Sequence, residues 1–239
     1  MGRGTAKAPR MTILLTGSSR GIGAAIASAL TQAGAVVIGH GTASGIAADF
    51  ADPAAPRALW DSALDQSGGA IDVLINNAGV FEANPIESND WVEQWERTMR
   101  INLTASAELC RLAVRHWQDR KVGGRIVNIA SRAAYRGDSP AHWHYAASKA
   151  GMVAMTKTIA RGYARDGILA FAVCPGFTMT GMAEDYLASR GGDALLADIP
   201  LGRVASPDEI GATAKFLALE APASMTGAVI DVNGASHVR

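Results

Sequence analysis

Thr16-Gly17-Ser18-Ser19-Arg20-Gly21-Ile22-Gly23 is the stretch on which the reading of this chain turns. It follows an apolar run, Ile13-Leu14-Leu15, and opens an amphipathic one over 22–33 that Gly34 closes. Glycines at a strand-to-helix turn let the backbone bend sharply and come close to a ligand. The helix that starts there offers free N–H groups and the positive end of its dipole, a natural seat for a pyrophosphate. The spacing is G-x-x-x-G-x-G rather than the commoner G-x-G-x-x-G. A tight packing turn without a ligand is the other reading of the same residues. The position of the turn, at the first strand of an alternating pattern, favours the dinucleotide.

That pattern runs outward over the whole chain. Apolar runs at 36–38, 46–50, 73–75, 125–129, 169–173 and 229–232 read as further strands, the run at 46–50 as a weak one. Helical patterns cover 56–66, 91–116, 145–164 and 207–219. The last is opened by Ser206, with Pro207 at its first position. The strands are continuous rather than alternating apolar runs, as strands buried on both faces are. The alternation predicts an α/β, doubly wound fold: about seven parallel strands, flanked by helices on both faces. Residues 1–10 read as a flexible tail and 11–239 as a single dinucleotide-binding catalytic domain. The least regular stretch, 176–202, has the glycines and proline of a segment that lies over a site.

Composition narrows the function. Twenty-two basic residues balance 22 acidic ones, which argues against a nucleic-acid surface or a membrane patch. No apolar run approaches the roughly 18 residues of a membrane span. The two cysteines, Cys110 and Cys174, sit in apolar contexts and read as small buried hydrophobes, not a disulfide or metal pair. No metal site is expected, and a cytoplasmic setting is.

At the end of the second strand an acid would bind a free ribose 2′-hydroxyl. Here stand Gly39-His40-Gly41-Thr42, with no acid, while Arg20 in the glycine turn suits a 2′-phosphate. NADP(H) is therefore the expected cofactor and NAD(H) the alternative; a solvated Arg20 is the other reading of that residue. Gly17, Ser19, Arg20, Gly21, Ile22 and Gly23 form the expected phosphate side, with His40, Thr42, Asp49 and Phe50 toward the adenosine. Asp49 reads equally as an ordinary turn residue. Asn77, Ala78 and Gly79 follow a strand end, where ligands bind in open α/β sheets.

Tyr145 and Lys149, four residues apart at a helix start, share one face. A free tyrosine has a pKa of about 10, and a neighbouring ammonium lowers it toward the range of a useful acid or base. Such a pair alone arises often by chance. Ser131, just past a strand, adds a hydroxyl at the carboxyl edge of the sheet. Asn102 is a poor helix former within a helical pattern, suited to a polar role or to simple solvation.

Taken in order, TGSSRGIG (16–23), NNAG (76–79), Asn102 in RINL, Ser131 in IVNIAS, YAASK (145–149) and PGFTMT (175–180) make the chain resemble the short-chain dehydrogenase/reductases, most of all the bacterial 3-oxoacyl-acyl-carrier-protein reductases. The resemblance implies a Rossmann-type fold and hydride transfer between the dinucleotide and a carbonyl or secondary alcohol, such as a 3-oxoacyl thioester. Tyr145 would be general acid or base. Lys149 would lower its pKa and bind the nicotinamide ribose, Ser131 would orient the substrate oxygen, and Asn102 would hold a relay water behind Lys149. Pro175, Gly176, Thr178 and Thr180 would anchor the nicotinamide, beside Phe177. A homotetramer acting on a small molecule is implied. A non-catalytic dinucleotide sensor or scaffold on the same fold is the competing reading. The chain departs from the family in three places. The helix between the second strand and the run at 46–50 looks reduced to a turn. The 132–144 loop is one residue longer than usual and ends in His142-Trp143-His144. Thr178 replaces an aliphatic residue. His142 and His144 are read either as substrate contacts or as exposed loop residues.

Overall fold

The computed structural model describes residues 10–179 and 192–239. The expected tail, apart from Arg10, lies outside the described residues, and so does Thr180. In chain order the elements are β1 (Thr12–Leu15), α1 (Gly21–Gln32), β2 (Val36–Gly41), β3 (Ile46–Ala47), α2 (Ala55–Gln66), β4 (Val73–Asn76) and α3 (Trp91–Met99). There follow α4 (Ala105–Arg120), β5 (Gly124–Ile129), α5 (Ala133–Arg136), α6 (Trp143–Tyr163), β6 (Ile168–Pro175), α7 (Gly192–Ala197), α8 (Pro207–Leu219) and β7 (Val229–Val232).

The strands form one seven-stranded sheet in the order β3-β2-β1-β4-β5-β6-β7. Every strand pairing is parallel. This is the doubly wound order, with its reversal between β1 and β4. Both faces are covered, which explains the continuous apolar strands. Leu14, Leu74 and Ile126 pack on one side with residues of α2, α4 and α6. Their neighbours Ile13, Leu15, Val73, Ile75 and Val127 pack on the other with residues of α1 and α8. Helices α1 and α8 touch closely because Gly211 has no side chain; a Cβ there would come within 2.9 Å of the Ala25 carbonyl oxygen.

The missing helix is confirmed. β2 turns directly into β3, with His40 opposite Ile46 in parallel register and a bridge from His40 to Gly45. The strand expected over 46–50 is only two residues long, since Asp49 and Asp52 each accept a nearby backbone N–H and start turns. The long helix expected over 91–116 is also corrected. A π-helical turn, Arg100–Thr104, divides it into α3 and α4.

Candidate active site

The glycine turn is built by contacts from across the switch point. The Thr16 hydroxyl, buried at the end of β1, accepts the backbone N–H groups of Asn77 (2.9 Å) and Ala78 (3.0 Å). The Asn77 amide donates to the carbonyls of Thr16 (3.0 Å) and Gly17 (2.9 Å). Asn77 is thus a strut between two loops rather than an outward-facing ligand. A Cβ on Gly23 would lie 1.8 Å from the Gly17 carbonyl oxygen, so only glycine fits. No side chain caps α1, and Arg20 at its N-cap is exposed and makes no ion pair with any described residue. The N–H groups of the first turn of α1 therefore have no side-chain acceptor, as an anion seat requires.

His40 and Phe50 take parts different from those expected. His40 is 3% exposed and its ring stacks on buried Phe50 with centroids 4.5 Å apart. Its Nδ1 accepts the Gly17 N–H at 3.3 Å, and Nε2 lies 3.0 Å from the Ala48 carbonyl oxygen. A backbone N–H can only donate, so this geometry holds the imidazole neutral, with its proton on Nε2. Burial lowers its pKa in the same sense. His40 braces the glycine turn against the segment after β3; Phe50 is core. Thr42 and Asp49 are exposed.

Ser131, Tyr145 and Lys149 gather at the carboxyl edge of β5. Ser131 is within hydrogen-bonding reach of the Tyr145 phenol and draws its pKa down, but burial outweighs this and pushes Tyr145 up to about 12. Burial likewise brings Lys149 down to about 8. The Lys149 ammonium donates to the Ile129 carbonyl at 2.9 Å and stands 5.8 Å from the Tyr145 ring centroid. Desolvation is the largest effect on both groups, and Lys149, implied by the resemblance to lower the Tyr145 pKa, is not among the groups that shift it here. Gly79 leaves space beside Lys149, since a Cβ there would sit 3.5 Å from Nζ and 3.1 Å from the Asn102 side-chain oxygen.

Asn102 lies in the π turn, and there the extra residue serves a purpose. Its Oδ1 accepts the Val80 N–H (2.8 Å), and its Nδ2 donates to the Val80 carbonyl (3.0 Å) and approaches the Ser148 hydroxyl (3.3 Å). The side chain therefore clamps the loop after β4 to α6, one residue before Lys149. Both side-chain amide atoms are committed to these partners, which gives Asn102 a positioning role beside the water-holding one that the resemblance implies.

The mouth of the site is formed by two loops zipped together. The Asn84 N–H donates to the Ala141 carbonyl at 2.8 Å, and His144 hydrogen-bonds the backbone of Glu82. His144 is buried and fastens the loops, so it is neither the exposed loop residue nor the substrate contact expected from the sequence. His142 is half-buried and bonds Ser139 through Nδ1. Its ring stacks on Phe81, which in turn meets Tyr145 edge to face. Phe81 was not among the expected site residues; as an apolar residue after NNAG it carries no motif signal.

On the nicotinamide side, the Pro175 carbonyl accepts the Arg132 N–H and the Gly176 N–H donates to Val232. Phe177 and Met179 pair with Ala205 through the backbone, and the Thr178 hydroxyl donates to the Gly176 carbonyl. The 175–179 segment is thus fixed as an extended rim beside Ser131. No group of three or more metal-ligating side chains occurs among the described residues. A separate cavity of about 650 Å³, lined by Asp231, Asn233, His237 and Arg239 among others, lies near the end of β7 and includes none of Ser131, Tyr145 and Lys149.

The chain matches the family model described as Enoyl-(Acyl carrier protein) reductase over residues 17–237. It is 35% identical to the 3-oxoacyl-[acyl-carrier-protein] reductase FabG of Vibrio cholerae, over 94% of this chain and 96% of that protein. It is 34% identical to 3beta-hydroxysteroid dehydrogenase 1 of Eggerthella lenta, over 93% and 92% of the two chains. Among solved structures it resembles an Agrobacterium tumefaciens chain described as a "putative 2-deoxy-d-gluconate 3-dehydrogenase" with bound NADP. The TM-score is 0.85 and the identity 28%, with 95% of this chain and 96% of that chain covered.

Proposed function

The chain belongs to the short-chain dehydrogenase/reductase family of oxidoreductases, and from that premise we propose that it passes a hydride between NADP(H) and a carbonyl or secondary-alcohol substrate. The observation that carries this reading is the convergence of Ser131, Tyr145 and Lys149 at the carboxyl end of β5, on the same edge of the sheet as the glycine turn after β1. The residues present fit a dinucleotide. The glycine turn leaves room for a pyrophosphate, the space beside Gly79 opens onto Lys149, and exposed Arg20 suits a 2′-phosphate. The A. tumefaciens relative carries NADP, which supports the same preference.

When bound, the nicotinamide supplies or accepts the hydride. Ser131 holds the substrate oxygen. Tyr145, protonated at neutral pH, gives its proton to that oxygen as the carbonyl is reduced and recovers it from the alcohol in the reverse direction. The Lys149 ammonium steadies the phenolate left behind. Asn102, through Val80 and Ser148, keeps the surrounding loop and α6 in register. A 3-oxoacyl thioester, a steroid-like alcohol and a sugar acid are the substrate classes that the relatives' names suggest. No helix among the described residues is long and apolar enough to cross a membrane. Both cysteines are free thiols, in keeping with a cytoplasmic enzyme.

The test is a carbonyl and alcohol panel run with both cofactors and followed by nicotinamide absorbance. Wild type is expected to favour NADP(H), and Arg20→Ala to lose that preference by about tenfold or more. Equal or better efficiency with NAD(H) removes the NADP assignment. Binding of cofactor without turnover of any substrate favours a sensing protein instead.

A further inference from the structure

The substrate mouth carries a feature that the catalytic set does not explain. Phe81 and His142 are stacked almost parallel, with centroids 3.9 Å apart and planes at 6°. Phe81 then meets the Tyr145 ring edge to face at 4.7 Å. Three ring-bearing side chains thus make one continuous surface that ends at the proton donor.

The surface is both fixed and accessible. Asn84 and His144 fasten the loop that bears Phe81 to the segment that bears His142. Ser139 holds the His142 ring through Nδ1. Phe81 nevertheless remains 43% exposed, although burying a phenylalanine is ordinarily favourable. An exposed aromatic ring held in place beside a reacting group is a wall for a ligand.

The charges around the mouth do not cancel: two arginines share one carboxylate, and Asp138 faces His142 and Tyr145 with no ion pair among the described residues. Glu82, next to Phe81, bonds Arg97; Arg132, next to Ser131, shares Asp198 with Arg136. Burial lowers the pKa of His142, which keeps its ring neutral at pH 7. A flat apolar body would find an aromatic wall beside the proton donor.

We propose that Phe81 and His142 are specificity-determining residues, and that they select a substrate whose reacting carbonyl or alcohol is attached to a planar ring. The inference rests on the oxidoreductase reading above and narrows its substrate class. Such a ring packs against the wall while its oxygen reaches Ser131 and Tyr145. Aromatic pairs prefer offset-stacked or edge-to-face geometry, and the exposed part of Phe81 leaves room for either.

Acetophenone and 2-octanone make a matched test, both being methyl ketones with eight carbons. Wild type is expected to reduce acetophenone with kcat/KM at least tenfold above that for 2-octanone. Phe81→Leu and His142→Ala are each expected to cut that ratio about tenfold, mainly by raising KM for acetophenone. His142→Phe, which keeps a stacked ring, is expected to retain the ratio. Thermal melting of each variant separates a loss of fold from a loss of selection. The wall is overturned if wild type turns over both ketones without preference, or if Phe81→Leu and His142→Ala depress both alike; the oxidoreductase reading then stands. Failure to reduce acetophenone with either cofactor also overturns the wall; turnover of another carbonyl or alcohol in the panel above then keeps the oxidoreductase reading, and turnover of none removes both.

Discussion

At the scale of single residues, burial decides the chemistry. Tyr145 at about 12 stays protonated across the working range and is ready as an acid, while Lys149 at about 8 loses its charge just above neutrality. A lysine pKa lowered in this way means the ammonium is present below about pH 8 and absent above it. The kcat/KM for carbonyl reduction is therefore expected to be level below about pH 7 and to fall as pH rises through about 8. A profile that climbs through pH 9 contradicts a cationic Lys149. The identities of Ser131, Tyr145 and Lys149 were legible in the sequence because each stands in a short local motif. The commitments of His40, Asn77 and Asn102 were not. Their partners lie on loops far away in the chain: His40 with Gly17, Asn77 with Thr16, and Asn102 with Val80 and Ser148. Side chains that read as ligand contacts prove to be braces, because the fold brings backbone groups to them first.

At the scale of elements, caps and interruptions matter more than propensity. Helix α8 begins with a complete capping box: the Ser206 hydroxyl accepts the Glu209 N–H, and the Glu209 carboxylate accepts the Ser206 N–H. Ser206→Ala is expected to lower the unfolding free energy in urea by about 1 kcal/mol, the usual cost of a lost N-cap. Loss of less than about 0.3 kcal/mol, against that same measure of an N-cap, would show that packing of α8 on α1 alone holds the helix start. This helix was readable from Ser206 and Pro207. The π turn at Arg100–Thr104 was not, since one inserted residue leaves the apolar pattern on either side intact while shifting its phase. The short β3 escaped the reading for another reason. Its apolar run continues into Phe50, whose burial comes from stacking on His40 and not from pairing in the sheet.

At the scale of the whole molecule, the alternating pattern sufficed to give the parallel sheet and its two covered faces, because continuous apolar strands have few other solutions. It did not give the strand order, which depends on crossovers that leave no local mark. The sheet ends at β7, which pairs on one side with β6 and whose residues are all half-buried. Nearby, Val238 exposes apolar surface. An open strand edge of this kind is usually covered. We expect a homotetramer, seen by light scattering as a mass near four times 24.8 kDa; a mass of one chain at micromolar concentration excludes it. The switch point, the glycine turn, the π-turn clamp and the aromatic wall all converge on one phenol. The most direct measurement is therefore the rate of hydride transfer in Tyr145→Phe on a substrate the wild type turns over, with cofactor affinity measured in parallel. A loss of about 10²–10⁴-fold in rate, the usual share of a general acid, with cofactor affinity retained, is the expected result. A rate within a few-fold of wild type would contradict the assignment of Tyr145 as the proton donor.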